Sequence, residues 1–355
     1  MINNSSNGIL QEDLEYIANS SLNFNKLKNK SILITGATGL VGSLLVKSLI
    51  YSNDKNALNL TILPLVRNKE KAEQIFGKLL EKECVELITG DINSKLSILQ
   101  KVDFIIHGAA VTTSKIMISK PVEVVLTALN GTINLLELAK EKKVESMVYL
   151  SSMEMYGSFD NNLVVEEKDL GYINPLEVRS NYPESKRMCE NICIDYLSEY
   201  DIPVKIARLA QTFGAGILPG ENRVFAQFAR SVINKENIVL HTAGKSEGNY
   251  CYTRDCVVGV LTILLEGSNG EAYNICNEDT HTTIGNMAKM VADKVANGEI
   301  TVIYDIPTEN TFGYAKDTRM KLSSNKLRNL GWKPSVGLEE AYIRLIQSIK
   351  ESEEN

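Results

Sequence analysis

Two short stretches hold the residues of this chain best suited to chemistry. In "RSNYPESKR", 179–187, Tyr182 and Lys186 stand four apart where the pattern predicts a helix start, with Pro183 suited to the first turn. Residues four apart share a helix face, so the Lys186 ammonium is expected beside the Tyr182 phenol. A neighbouring cation and the positive end of a helix both favour phenolate. The expectation is a phenol pKa lowered from about 10 towards working pH and a tyrosine usable as a general base for a hydroxyl. The second stretch, "SSMEMYG" at 151–157, follows the apolar run "MVYL" and closes a strand with Ser152 and Glu154. A polar strand end of this kind meets a ligand, and Glu154 reads either as an acid or base or as a residue that merely caps the strand.

A third stretch supplies a cofactor site. The apolar "SILIT", 31–35, runs straight into "GATGLVG", with Gly36, Gly39 and Gly42 spaced three apart ahead of the helical "SLLVKSLI". Glycines there permit a tight turn and bring backbone N–H groups close to a pyrophosphate at the positive end of a helix. Thr38, Leu40 and Val41 belong to the same expected contact. The second apolar run ends in "LVRN", where an NAD site would usually offer Asp or Glu to the ribose. Arg67 is instead a fixed cation suited to a 2′-phosphate, which predicts NADP, with NAD as the alternative if Arg67 is only solvated. "GDI" at 90–92 brings Asp91 and Ile92 towards the adenine, and the small Ala109 and Ala110 of "HGAA" leave room for the cofactor.

The elements that must position these residues are short apolar runs alternating with helical stretches: 31–35, 60–66, 85–89, 103–107, 147–151 and 204–210. Strands apolar on both faces and separated by helices predict an α/β fold with a doubly wound parallel sheet of the Rossmann kind. The sequence divides into a leader, 1–30, with a helix expected at 10–18 docked on the domain edge. A dinucleotide-binding domain follows over 31–213, to which a strand near 271–276 returns. A smaller, interleaved substrate-binding portion takes 214–250 and 277–350, with a helix expected at 282–296.

Composition narrows the function classes. The net charge of −6 and the absence of basic clusters argue against nucleic acid, and no apolar stretch of membrane-spanning length or signal-peptide pattern is read, so a cytoplasmic protein without a membrane partner is expected. Six cysteines without a CxxC pair and three histidines predict reduced, packed thiols and no metal site.

"GATGLVG", "SSMEMYG" and "YPESK" together resemble the extended short-chain dehydrogenase/reductase family, in its nucleotide-sugar epimerase, dehydratase and decarboxylase branch. The likeness runs from about residue 30 to 350 and includes "NGTINLLELAK", "ARLAQTFG" and "NLGWKPSVGLEEA". It implies that Ser152, Tyr182 and Lys186 form the catalytic set, that a nucleotide sugar is the substrate, and that the reaction passes through a transient 4-keto sugar. An epimerase is the first expectation, with decarboxylase or dehydratase variants behind it; the alternative is an NADPH-dependent reductase of a keto-sugar or related carbonyl compound. Dehydratases of the branch carry an Asp-Glu pair after the catalytic Ser or Thr, where this chain has Met153 and Glu154, so 4,6-dehydration is not expected. Decarboxylases keep only the glutamate. The branch also places an arginine on the substrate diphosphate where this chain has Gly248, leaving Lys245, Arg223, Arg254 or Arg319 to supply the charge; Gln211 stands where Asn is usual. Met153, Gln211 and Arg223 are the expected substrate contacts. A homodimer is expected through helices near 121–141 and 183–199, on Val124, Leu135, Leu138, Met188, Ile192 and Leu197.

Overall fold

Apolar runs buried on both faces build the centre of the molecule. The computed structural model describes residues 8–159, 163–217, 220–307 and 318–353. After α1 (Gly8–Ala18) the chain passes through β1 (Ser31–Thr35), α2 (Leu40–Asn56), β2 (Thr61–Val66), α3 (Lys69–Phe76), β3 (Ile88–Thr89), β4 (Phe104–His107), α4 (Ser114–Ser119), α5 (Pro121–Lys142) and β5 (Ser146–Ser152). It continues through β6 (Val164–Val165), α6 (Asn181–Tyr200), β7 (Val204–Leu209), β8 (Gln211–Phe213), α7 (Val224–Asn234), β9 (Ile238–Leu240), β10 (Glu247–Tyr252), α8 (Thr253–Glu266) and β11 (Ala272–Ile275). Last come β12 (Asn277–Thr283), α9 (Ile284–Met290), β13 (Val302–Tyr304), β14 (Lys321–Leu322), α10 (Asn325–Arg328) and α11 (Leu338–Glu353).

Seven parallel strands form the large sheet in the order β11-β7-β5-β4-β1-β2-β3. The chain lays β2 and β3 on one side of β1 and then returns to place β4 on the other. That reversal opens a crevice at the carboxyl ends of β1 and β4, the place where sheets of this kind bind ligands. The run at 85–89 yields only the two-residue β3, with a single bridge from Val85 to Ile62, because it lies on the sheet edge and has one neighbour. The expected helix at 282–296 is also divided. Residues 277–283 pair with β10 as β12, Thr283 caps α9 through Asn286 N, and the helix widens into a π turn at Val291–Val295.

The smaller portion builds its own core, where Phe213 stacks on Phe225 at 5.0 Å and Tyr250 and Tyr342 close in on Phe213. Asp255 of α8 joins the two portions. Its carboxylate accepts from Ser335 and Val336, and its carbonyl accepts from Trp332 Nε1.

The leader does more than dock at an edge. Residues 1–7 lie outside the described residues, but α1 packs against α2, α8 and α11 and carries Asp13 into the interior. Asp13 accepts from Tyr252 Oη at 2.7 Å, Arg344 Nη2 at 2.8 Å and Arg254 Nη1 at 3.2 Å. A carboxylate so buried is tolerated only with such partners. Arg254 is consumed by this cluster and by Ser335, so it is not the free cation expected for a substrate diphosphate.

The helices proposed from the sequence to carry a dimer contact need a correction. Val124, Leu135 and Leu138 of α5 are buried within the monomer, because α5 packs against α6 and the sheet. The exposed large apolar residues of the two helices are Val122, Leu126, Met188, Ile194 and Tyr200, while Ile192 and Leu197 are partly buried against the core. By length and composition α5 could also cross a membrane, which the reading of the sequence did not anticipate; here its apolar face is core, shared with β4, β5 and α6.

Candidate active site

The dinucleotide cradle follows from two glycines. Gly36 ends β1 at φ 68°, and a Cβ there would meet the backbone of Gly108 and Ala109 at 2.7–2.8 Å. At Gly42 a Cβ would lie 2.1 Å from Gly36 O, so only glycine lets α2 start this close to β1. Gly39 is the N-cap of α2, no side chain caps it, and the first turn carries no acidic residue. A helix start of this composition suits an anion, and the crevice fits a dinucleotide pyrophosphate. Thr38, Leu40 and Val41 lie half-buried in the same turn, and Ala109 and Ala110 lie half-buried after β4. Arg67 is exposed immediately after β2. Asp91 is exposed and accepts from Asn93, while Ile92 is buried against Gly131 of α5.

One hydrogen-bond chain holds the loop after β4. Ala109 N donates to Thr35 Oγ1 at 3.1 Å, and Thr35 Oγ1 lies 2.8 Å from His107 Nδ1. On the other side of the ring, Thr132 Oγ1 lies 3.3 Å from His107 Nε2 and donates to Ala128 O at 2.8 Å. Thr132 gives its proton to Ala128 O, so Nε2–H of His107 donates to Thr132. Burial together with Lys186 pushes the His107 pKa down to about 3, so the ring is neutral at working pH and Thr35 donates to Nδ1.

Helix α6 presents Tyr182, Lys186 and Glu190 at intervals of four, on one stripe facing β5. Ser152 stands near the Tyr182 phenol, where it favours the phenolate, and its Oγ accepts from Glu154 N at 3.2 Å. Lys186 Nζ donates to Leu150 O at 2.7 Å, and burial brings its pKa down to about 8. Glu190 accepts from Ser151 and is held by Arg208 of β7 at 2.7 Å. Leu150 and Ser151 of β5 are thus bonded to two neighbouring turns of α6. A small cleft is lined by Ala110 and Val111 after β4, Val124 and Ala128 of α5, and Tyr182, Ser185 and Lys186 of α6.

The expected depression of the phenol pKa is not what the surroundings produce. Burial raises it, and the Glu154 carboxylate raises it further; Ser152, Arg179 and Arg223 pull it down. Lys186 Nζ donates to Leu150 O and sits 5.8 Å from the Tyr182 ring centroid.

On the substrate side the two departures from the resemblance meet. Met153 is buried with Met155, Tyr156, Ala210 and Met320, and a Cβ on Gly248 would lie 3.6 Å from Met153 Cε. Gln211 is half-buried at the start of β8, beside Tyr250 of β10. Arg223, ahead of α7, is paired with Glu221 at 2.7 Å and is close enough to draw on the Tyr182 phenol. Lys245 and Arg319 are exposed, with Arg319 bridged to Glu247.

Sequence reasoning missed Arg179, which pairs with Glu154 at 2.9 Å, and the Glu190–Arg208 pair. The pair had a signal. Glu190 continues the Tyr182–Lys186 stripe by one more turn, and Arg208 is, with Lys205, one of two charges in the otherwise apolar strand "VKIARLA", where a buried charge calls for a partner.

The neutral His107 gives a pH dependence with a definite sign. Its folded pKa lies below the ordinary 6.5, so the stability it contributes is complete above that value and is lost as pH falls towards about 3. Urea unfolding at stepped pH should show a loss of up to about 1.4 kcal/mol per pH unit from this ring. In His107→Asn the slope across that window should be shallower by one proton; an unchanged slope would mean that the folded protein protonates the ring freely.

Comparison with known proteins agrees with this geometry. Residues 32–276 match the NAD dependent epimerase/dehydratase family. The chain is 31% identical over 316 residues to UDP-glucuronic acid decarboxylase 3 of Arabidopsis thaliana, covering 88% of this chain and 86% of that one. It is 27% identical over 345 residues to dTDP-D-glucose 4,6-dehydratase of Homo sapiens, covering 92% and 91%. Among solved structures, the UDP-glucuronic acid 4-epimerase of Bacillus cereus, in complex with UDP-glucuronic acid and NAD, shares the fold with a TM-score of 0.76 at 22% identity, over 91% of this chain and 99% of that one. The chain is an enzyme of the NAD-dependent epimerase/dehydratase family, in the nucleotide-sugar branch of the extended short-chain dehydrogenases/reductases.

Proposed function

We propose that the chain is a redox-neutral nucleotide-sugar enzyme working through a transient 4-keto sugar, with epimerisation as its reaction. The observation that carries this reading is a complete Ser152–Tyr182–Lys186 set beside a single carboxylate, Glu154, and a buried thioether, Met153. Tyr182 as phenolate takes the proton of the sugar C4 hydroxyl while Ser152 hydrogen-bonds the same oxygen. Lys186, with a pKa brought down only to about 8, stays mostly charged at neutral pH and holds the site positive. A nicotinamide dinucleotide, when bound in the cradle, supplies the acceptor and donor of hydride at C4. Epimerisation requires nothing more than this set and room for the keto sugar to turn. Elimination of water needs a second proton-transfer group where Met153 stands, and a thioether can be neither acid nor base.

Decarboxylation is the second reading. It is favoured by Glu154, which can protonate the carbon left after a 4-keto hexuronate loses carbon dioxide, and by the likeness to the Arabidopsis decarboxylase. Incubation with UDP-glucose, UDP-glucuronate and dTDP-glucose, analysed by mass spectrometry and sugar NMR, separates the readings. An unchanged mass with a new configuration supports epimerisation, and loss of carbon dioxide from UDP-glucuronate establishes the second reading. Loss of water, or a gain of two hydrogens with NADPH consumed, refutes both. Tyr182→Phe should lower turnover by roughly 100-fold or more while leaving dinucleotide affinity nearly unchanged.

For the cofactor, the reading takes Arg67 as the partner of a 2′-phosphate. Calorimetric titration should then show NADP bound more tightly than NAD by about 1.5–3 kcal/mol, the scale of a charged hydrogen bond, and Arg67→Ala should erase most of the difference. Equal affinities in the unaltered protein would return the assignment to NAD. The exposed apolar side of α5 and α6, with Val122, Leu126, Met188 and Ile194, is read as the contact with a second copy. Sedimentation at micromolar concentration should give a dimer, and a monomer would reject that contact.

A further inference from the structure

Six groups face the Tyr182 phenol: Ser152 and Tyr149 from β5, Glu154 from the turn after β5, Arg179 from the turn Val178–Ser180, Arg223 from ahead of α7, and Lys186 from its own helix. Of the cations, Lys186 is bonded to Leu150 O and stacked 4.7 Å from the Tyr149 ring, and Arg223 is paired with Glu221. Arg179 differs. Its Nη2 donates to Glu154 Oε2 at 2.9 Å, and its guanidinium carbon lies 5.9 Å from the centroid of the Tyr182 ring. The two members of the pair are about equally accessible, at 30% and 34% of their side-chain surface.

We infer that Arg179 is a positioning residue: it holds Glu154 at the reacting sugar, and the two opposed charges together set the ionisation of Tyr182. The inference rests on Tyr182 being the base, as proposed above. The guanidinium favours the phenolate and the carboxylate disfavours it, so the two influences offset each other while both charges are present. The direction of each is as found: Glu154 pushes the phenol up and Arg179 pulls it down. The pair also couples the two groups of the site that handle protons. When Glu154 takes a proton its charge is lost, Arg179 is no longer offset, and the phenol becomes the stronger acid. Solvent reaches both members, so the coupling is screened and should weaken as salt is raised.

The test follows the pH dependence of substrate oxidation, measured with whichever of UDP-glucose, UDP-glucuronate and dTDP-glucose the unaltered enzyme oxidises fastest. The rate rises with pH as the phenol ionises. Arg179→Met should move that rise to higher pH by roughly one unit, and Glu154→Gln should move it to lower pH by a similar amount. Arg179→Lys should restore the original position, and the double variant should titrate close to the unaltered enzyme although it turns over slowly. A residue that only stiffened the 174–180 turn would lower the rate without these opposite displacements. If Arg179→Met does not fold, Glu154→Gln alone decides, because a rise that stays in place or moves to higher pH overturns the inference. An undisplaced rise in Arg179→Met, in an enzyme that Tyr182→Phe inactivates, overturns the inference and leaves the proposed function standing. Failure of the unaltered enzyme to oxidise any of the three sugars removes both.

Discussion

A buried ion pair, Glu190 with Arg208, is the interaction on which the site depends. Both side chains are 8% exposed, a location where either charge alone would cost several kcal/mol. Each is fully answered. Arg208 donates from Nε and Nη2 to the Glu190 carboxylate and from Nη1 to Tyr156 Oη and Glu167 O, and Ser151 donates to the same carboxylate. Tyr156 passes the connection on to Asn274 of β11 at 2.7 Å. One ion pair therefore fixes α6 against β5 and β7, and fixes the turn carrying Glu154 against the far edge of the sheet. Lys186 and Tyr182 lie one and two turns back along the same helix, so their placement beside Leu150 O and Ser152 follows from where Glu190 is anchored.

The surroundings of the anchored residues are dry, and dryness determines their ionisation. A buried phenol, a buried imidazole and a buried ammonium each shift towards the uncharged form. His107 responds by remaining neutral, its Nε2–H donating to Thr132 and its Nδ1 accepting from Thr35, and in that state it does not repel Lys186. Lys186 donates to Leu150 O with Glu190 nearby, and burial brings its pKa down only to about 8. The phenol is the group left least favoured for ionisation, which makes the charges around it, Arg179 and Glu154 foremost, the means of adjusting it. The apolar contact of Met153 with the space over Gly248 belongs to the same pattern: a part of the pocket that could hold charge is filled by a thioether and bare backbone.

Much of this was legible in the chain. The glycine turn, the strand ends and the Tyr182–Lys186 spacing are local patterns, set by steric freedom at Gly36, by apolar runs four to seven residues long and by helical periodicity. They determined the parallel sheet, the glycine turn at its switch point and the placing of Tyr182 and Lys186 on one helix face, because each depends on neighbours within a few positions. Arg208 and Glu190 announced themselves only as charges in apolar or catalytic surroundings, and their being partners could not be read.

What only the tertiary structure decided is which charges meet. Arg254 could be counted as available to a substrate until Asp13, 241 positions away in sequence, was found to hold it. Leu135 and Leu138 looked like surplus apolar surface until they were found in the core between the sheet and α6, and Val124 until it was found packed with Met117 and Tyr182. The phenol was expected to be drawn down by Lys186, since the two share a helix face, but the ammonium turns to a strand carbonyl while Glu154 and Arg179 arrive from separate turns. Spacing along one helix determines direction, whereas desolvation and Coulomb interaction depend on every element packed around the group, and those neighbours are assembled only by the fold.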